Sequence, residues 1–196
     1  MAERRDIEAK RQQCWDSALL AYGTAYIFQR RAVRRRRLKR ALTFFGLFVP
    51  ALIGIIATRF YRNVPIPAWC VHLASVASAI QFVFSLWALV TKWDDTLSDA
   101  MQAAQKNSDL QVRWENLAHK SSAELEVEYD TIADTEARQR DADVKQLISD
   151  KEKRIGMKAG LFKYQRECAG CNRIPKSLKI RFASFRRKCG VCGNVL

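Results

Sequence analysis

Four cysteines near the end of the chain have the residue type and the spacing of a metal site. Two residues separate Cys168 from Cys171, two separate Cys189 from Cys192, and seventeen lie between the pairs. Both thiolates of a Cys-x-x-Cys turn can reach one ion, and four thiolates complete the tetrahedral coordination that zinc prefers. Because no position would remain for water, we expect a structural zinc that holds together a small zinc-ribbon-like tail over residues 167–196.

Each cysteine pair must be followed by a tight reversal of the backbone. Asn172 and Gly193 follow the two pairs, and both residue types adopt the left-handed conformation readily. Two other uses of paired cysteines stay open: redox dithiols and structural disulfides. The sequence lacks the βαβ pattern that surrounds a thioredoxin-type Cys-x-x-Cys, and stable disulfides need an oxidising compartment. We therefore favour zinc.

The segment between the cysteine pairs is strongly basic. Residues 172–188 hold seven Lys or Arg side chains, together with Phe182 and Phe185. Cations interleaved with aromatic rings can bind RNA, DNA or an acidic protein face. The same residues can instead pack against residues 91–156, which carry 15 acidic and 10 basic side chains. Both interpretations are kept.

No catalytic motif accompanies the cysteines. The sequence contains none of the P-loop, G-x-S-x-G or H-E-x-x-H patterns, and it has only two histidines. The acidic pair Asp94 and Asp95 is weak evidence for a Mg²⁺ site. We expect that the protein is not an enzyme.

The elements that must position the tail begin with two apolar stretches, residues 41–58 and 67–90, joined by an eight-residue link. As a helix the first stretch is about 27 Å long, close to the hydrocarbon thickness of a bilayer. The unpaired backbone of a short link cannot sit in lipid. We therefore predict a transmembrane hairpin of two complete helices.

A dense basic run precedes the first stretch. Eight of the eleven residues from 30 to 40 are Arg or Lys, against two basic residues in the link. The positive-inside rule then places both termini in the cytoplasm and the run against anionic lipid headgroups. Nucleic acid is the alternative ligand, although no aromatic residue is interleaved to stack a base. The run consists of Arg30, Arg31, Arg34, Arg35, Arg36, Arg37, Lys39 and Arg40.

A stripe of small and polar residues follows one face of the second apolar helix. Its members, spaced four, three and four residues apart, are Ala74, Ser78, Gln81 and Ser85. Small residues allow close helix packing, and Gly46 belongs to a matching stripe on the first helix. The alternative is that the stripe lines a water-filled path when several hairpins assemble.

Helices also flank the hairpin, and the predicted fold class is mainly α. Residues 1–40 form an amphipathic and basic N-terminal helix, in which Gly23 marks a candidate bend. Residues 91–166 form a cytosolic helical region with a break near His119. A new helix starts at Ser121, because Ser121 and Glu124 have the spacing of a capping box. The predicted domains are thus residues 1–40, the hairpin 41–90, residues 91–166 and the tail 167–196.

Several segments together resemble the SLATT-type two-transmembrane proteins of mobile elements. They are Cys14-Trp15-Asp16, Ala21-Tyr22-Gly23-Thr24-Ala25-Tyr26, Lys92-Trp93-Asp94-Asp95, Asp150-Lys151-Glu152-Lys153-Arg154 and the paired Cys-x-x-Cys tail. Within that class the chain looks like the subgroup named for a tail in which eleven residues separate two Cys-x-x-Cys pairs. The resemblance assigns the four tail cysteines as motif cysteines. Here the gap is seventeen residues, which lengthens the loop between the pairs.

The resemblance also implies a function. Proteins of this class are membrane effectors of bacterial conflict and anti-phage systems, proposed to assemble pores after a signal from a separate nucleotide-synthesising or ligand-sensing component. It therefore implies a homo-oligomeric effector in the bacterial inner membrane, with the lipid bilayer as a partner. The alternative is a membrane-tethered zinc-ribbon module that binds nucleic acid or a protein partner.

Overall fold

The computed structural model describes residues 2–60, 68–90, 93–178 and 188–194. These residues form five helices, which confirms the prediction of a mainly α fold: α1 (Ala2–Phe60), α2 (Ala68–Val90), α3 (Trp93–His119), α4 (Ser122–Val144) and α5 (Asp150–Lys163). The chain divides into two compact units. The first contains residues 1–30 and 100–196, and the second contains residues 31–99.

The first unit is a helical bundle built on α1, α3 and α4. Trp114 is almost fully buried at its centre and meets the Tyr129 ring edge-on, with 5.5 Å between ring centroids. Each large apolar side chain buried in this way contributes about 1.5–3 kcal/mol to folding. The buried residues of this core are Cys14, Ala18 and Ala21 of α1, Leu110, Trp114, Leu117 and Ala118 of α3, and Leu125 and Ile132 of α4.

Local capping signals set the helix boundaries. The break expected near His119 and the helix start at Ser121 are confirmed, because α3 ends at His119 and the Ser121 N–H donates to the Glu124 carboxylate at 3.2 Å. A second capping box starts α5, where the Ser149 N–H donates to Glu152 at 3.0 Å. Both boxes satisfy backbone donors that a helix start leaves unpaired.

Helix α5 lies against α1 at a contact that only glycine permits. A Cβ atom on Gly156 would lie 2.7 Å from the Gly23 carbonyl oxygen, and one on Gly160 would lie 2.7 Å from the Leu19 carbonyl oxygen. Real Cβ atoms essentially never come so close to backbone. The role of Gly23 is therefore helix packing, since α1 continues through it without interruption.

The second unit pairs the end of α1 with α2. Gln81 Nε2 donates to the Gly46 carbonyl oxygen at 3.1 Å, which favours the packing interpretation of the polar stripe. Ser78 is exposed, and the side chains of Ala74 and Ser85 lie outside the described part of the structure. Large apolar side chains of this unit are exposed, among them Leu47 at 72%.

The basic run lies on α1. Arg31 and Arg35 are half-buried, and Arg35 Nη1 donates to the Thr96 carbonyl oxygen at 2.5 Å. The other six members, Arg30, Arg34, Arg36, Arg37, Lys39 and Arg40, are exposed.

The predicted transmembrane hairpin is wrong, and so is the placement in the bacterial inner membrane with both termini in the cytoplasm. Over the described ranges, no helix combines the length and the apolar character that crossing a membrane requires. Residues 41–58 are not a separate helix but the continuation of the arginine-rich part of α1, and α2 includes the polar residues His72, Ser78 and Gln81.

Candidate metal centre

The four tail cysteines form one cluster. Their sulfur atoms all lie within 4.8 Å of one another, with 3.8 Å between Cys168 Sγ and Cys189 Sγ and 3.7 Å between Cys171 Sγ and Cys192 Sγ. Four sulfurs at the usual zinc–sulfur bond length of about 2.3 Å stand about 3.8 Å apart at the corners of a tetrahedron. The cluster therefore has the donor atoms and the dimensions of a metal site.

The two cysteine turns share one backbone pattern. The N–H of Asn172 donates to the Cys168 carbonyl oxygen at 2.7 Å, and the N–H of Gly193 donates to the Cys189 carbonyl oxygen at 2.9 Å. Asn172 has φ 49° and Gly193 has φ 69°, which confirms the left-handed conformation predicted for both residues. Each turn thus directs its two sulfurs toward the same point.

Burial and backbone hydrogen bonds act in opposite directions on the thiols. The N–H groups of Cys192 and Val191 point at the Cys189 sulfur and lower the pKa of that thiol to about 7. Burial raises the pKa of Cys192 to about 12 and also raises that of Cys171. Ligation by all four sulfurs requires their deprotonation, so the affinity of such a site for a cation rises with pH.

The disulfide alternative does not fit this geometry. The four sulfurs are unbridged, and the separations of 3.8 Å between Cys168 and Cys189 and 3.7 Å between Cys171 and Cys192 are far above the S–S bond length of about 2.05 Å. The tail cysteines are therefore described as free thiols gathered around one centre.

The cysteine cluster rests on the helical bundle. Three of its cysteines pack with Leu19 of α1 and Leu161 of α5, and Met157 covers the same contact. Cys168 follows shortly after α5, where the Arg166 N–H donates to the Leu161 carbonyl oxygen at 3.0 Å. This packing contact was not predictable from the sequence, because the apolar periodicity of α1 does not reveal which element covers Leu19.

Polar contacts join the connection after α5 to α1 and α3. Arg166 forms an ion pair with Asp16 of α1, and the Tyr164 hydroxyl donates to Glu115 of α3 at 2.5 Å. Burial alone would raise the pKa of Glu115, but hydrogen bonds from Tyr164 and Gln111 and the charge of Lys163 outweigh it and lower the pKa below 4.5. This carboxylate therefore stabilises the fold in its ionised form.

Replacing Tyr164 by phenylalanine is expected to destabilise the protein by about 1–2 kcal/mol at neutral pH, because a hydrogen bond to an ionised carboxylate is lost. A depressed folded-state pKa gives stability that is present above the unfolded pKa and is lost as the pH falls through the folded pKa. The difference between the wild type and Tyr164→Phe should thus shrink below pH 4.5. Urea unfolding of both proteins at neutral and acidic pH measures this difference in the free energy of unfolding. A difference that grows in acid would contradict the prediction.

Exposed basic side chains lie beside both cysteine turns. Arg173 and Lys188 flank the cysteines in sequence and are exposed, and so is Lys176. Arg154 of α5 is also exposed, and its Cβ lies 3.7 Å from the position that a Cβ on Gly193 would take. Residues 179–187, with Phe182 and Phe185, lie outside the described residues.

The model of one protein family, described as Mobilome CxxCx(11)CxxC protein, matches residues 11–195. Its description gives eleven residues between the cysteine pairs, whereas this chain has seventeen. No curated protein and no solved structure matches the chain.

Proposed function

The chain belongs to the Mobilome CxxCx(11)CxxC protein family, and we propose that it is a zinc-stabilised module that binds nucleic acid through the basic surface around its four-cysteine cluster. The observation that carries the proposal is the position of Arg154, Arg173 and Lys188. All three are exposed, and each lies next to a cysteine turn in space or in sequence.

Zinc suits the cluster because the donor set is four thiolates at tetrahedral separations. The residues that would hold it are Cys168, Cys171, Cys189 and Cys192. The ion would supply structural cross-linking of the two turns, and no coordination position would be left for water or substrate. The role of the cluster in this proposal is to fix the basic side chains beside it on a rigid support.

The positive charge of the tail exceeds the negative charge that a zinc–thiolate cluster would carry. Zn²⁺ with four thiolates carries a net charge of about −2, whereas the tail, residues 167–196, holds seven basic side chains and one acidic side chain. The tail and its zinc cluster together therefore keep a net positive charge. Phosphate groups are the natural counterpart of such a charge, and their binding releases the counterions condensed on nucleic acid.

The exposed members of the basic run on α1 support the same ligand. Nucleic acid is one of the ligands that the sequence left open for this run. Arg34, Arg36 and Arg37 are exposed within about one turn of the helix. The formal net charge of the whole chain is +14, which favours association with a polyanion at physiological salt.

The effector interpretation rested on the resemblance to SLATT-type proteins and required a hairpin that crosses the membrane. Self-association, which the same resemblance implied, has the support of exposed apolar side chains in the second unit, such as Leu47 and Phe82. A separate nucleotide-synthesising or ligand-sensing component remains an expectation of that resemblance.

The proposal is tested by measuring binding of the full chain to labelled DNA duplex and to single-stranded DNA and RNA by fluorescence anisotropy at several salt concentrations. Charge reversal at two positions beside the cluster, Arg154→Glu with Arg173→Glu, is expected to weaken binding at least tenfold. The slope of log affinity against log salt should fall by about two, or one for each lost phosphate contact.

The matched control reverses two exposed charges on other helices, Arg113→Glu on α3 with Arg138→Glu on α4. This variant has the same net charge as the test variant, so a general effect of charge would weaken both equally. Equal weakening overturns the proposed surface. A wild-type protein that binds none of the probes at about 50 mM salt overturns nucleic acid as the ligand, since phosphate contacts are strongest there.

A further inference from the structure

A cleft of about 450 Å³ opens in the first unit among α1, α3, α4 and the connection to α5. Apolar walls come from Leu20, Val144 and Ile148, and the polar groups include Asn107 and Asp143. A second cavity of about 260 Å³ adjoins it and shares Leu20 and Ile148. The volume and the apolar lining are those of cavities that take small molecules.

The deepest charge in this cleft is the carboxylate of Asp143. The residue is only 6% exposed, and its two oxygens accept hydrogen bonds from Gln139 Nε2 and Asn107 Nδ2, each at 2.8 Å. Burial raises the pKa of this carboxyl group. Among the residues that the structure describes, its hydrogen-bond partners are these two amides, and no Lys or Arg forms an ion pair with it.

The other charges at the cleft are already compensated. Glu136 and Arg140 of α4 pair with each other at 2.6 Å, and Lys153 of α5 pairs with Asp150 at 3.1 Å. Lys106 of α3 lies near enough to lower the pKa of Asp143, yet burial outweighs its effect. The cleft therefore presents one incompletely compensated negative charge at the end of apolar walls.

We propose that this cleft binds a small organic cation, whose ammonium group pairs with Asp143 and whose apolar part lies along Leu20, Val144 and Ile148. An anionic ligand would meet the buried carboxylate, and a neutral one would leave its charge as costly as before. An ammonium group supplies the missing opposite charge. Its alkyl part would cover apolar walls that are now open to water.

The connection between α4 and α5 is a second reason to expect a ligand with an apolar part. Leu147 lines the cleft, but its side chain is 85% exposed and its backbone has φ 47°. A left-handed conformation costs a residue other than glycine about 1–2 kcal/mol. The fold thus holds an apolar side chain at the mouth of the cleft, where a bound alkyl chain would cover it.

The test uses the full chain and three probes of one shape: hexylammonium, hexanol and hexanoate. Isothermal titration calorimetry should show saturable binding of hexylammonium, and the other two should bind at least tenfold more weakly. Asp143→Asn should weaken hexylammonium binding at least tenfold. The matched control, Asp141→Asn, removes an exposed carboxylate from the same helix and should leave the affinity unchanged.

A second variant covers the case in which Asp143→Asn fails to fold. Val144 is 68% exposed and lines the cleft, so Val144→Arg places a cation at the site without disturbing the core and should also weaken hexylammonium binding tenfold or more. Equal binding of the three probes, or unchanged affinity in both variants, overturns the proposal. So does the absence of hexylammonium binding up to about 10 mM, where even weak pockets are occupied. None of these outcomes depends on nucleic-acid binding.

Discussion

Replacing Cys189 by serine is expected to abolish stoichiometric zinc binding and to lower the free energy of unfolding by several kcal/mol. The free energy of zinc binding, about 10–16 kcal/mol in small zinc-finger peptides, becomes folding free energy when the site forms only in the folded chain. The serine hydroxyl cannot replace a thiolate, so the two turns would lose their shared centre. Elemental analysis of the purified protein, with thermal unfolding before and after chelation, measures both effects.

The matched control is Cys14→Ser. Cys14 is fully buried in the core of the bundle and is not part of the cluster, so its replacement should cost stability but leave zinc content unchanged. This pattern separates the loss of a metal ligand from the loss of a buried thiol. Retention of one equivalent of zinc by Cys189→Ser would contradict the assignment, and so would a wild-type melting temperature that chelation does not change.

Substitution of Gly156 by alanine is expected to destabilise the protein by about 2 kcal/mol or more, although alanine is the better helix former by about 1 kcal/mol. The new Cβ would lie 2.7 Å from both the Gly23 carbonyl oxygen and Ile27 Cδ1. The side chain of Ile27 can turn away, but the backbone of α1 cannot move without separating the two helices. In a chain of this size the melting temperature should fall by about 4–8 °C.

The control for this prediction is another glycine within a helix, Gly46 of α1. Among the described side chains a Cβ there would meet only Gln81 Nε2, at an ordinary contact distance of 3.6 Å, so Gly46→Ala should leave stability unchanged or raise it slightly. Circular dichroism melts of the two variants give the comparison. A Gly156→Ala protein as stable as the wild type would show that α1 and α5 are not packed as closely as described.

Features specified by neighbouring residues were predictable from the sequence. The capping box from Ser121 to Glu124 and the left-handed turns at Asn172 and Gly193 depend on side chains within a few positions of one another. The cysteine cluster belongs with them, because two closely spaced pairs limit the ways in which four sulfurs can meet. These are cases in which residue type, spacing and backbone geometry determine the result together.

Contacts between distant segments were not predictable in the same way. Gly23 is separated by more than a hundred residues from Gly156, so nothing in its surroundings in sequence indicates a helix crossing. The buried hydrogen bonds of Asp143 are similar, since Asn107 lies on a different helix. The hairpin was wrong for a different reason: its prediction depended on the length and low charge of two stretches, whereas no helix in the described residues is both long enough and apolar enough to cross a membrane.

The packing of the cysteine cluster against Leu19 has a consequence for how the protein folds while it is made on the ribosome. Leu19 leaves the exit tunnel long before Cys189 and Cys192 are translated, so the contact between Leu19 and these cysteines forms only after most of the chain has been synthesised. This contact joins segments that are far apart in sequence. Such a step is slow because the long intervening chain loses conformational freedom when the contact forms.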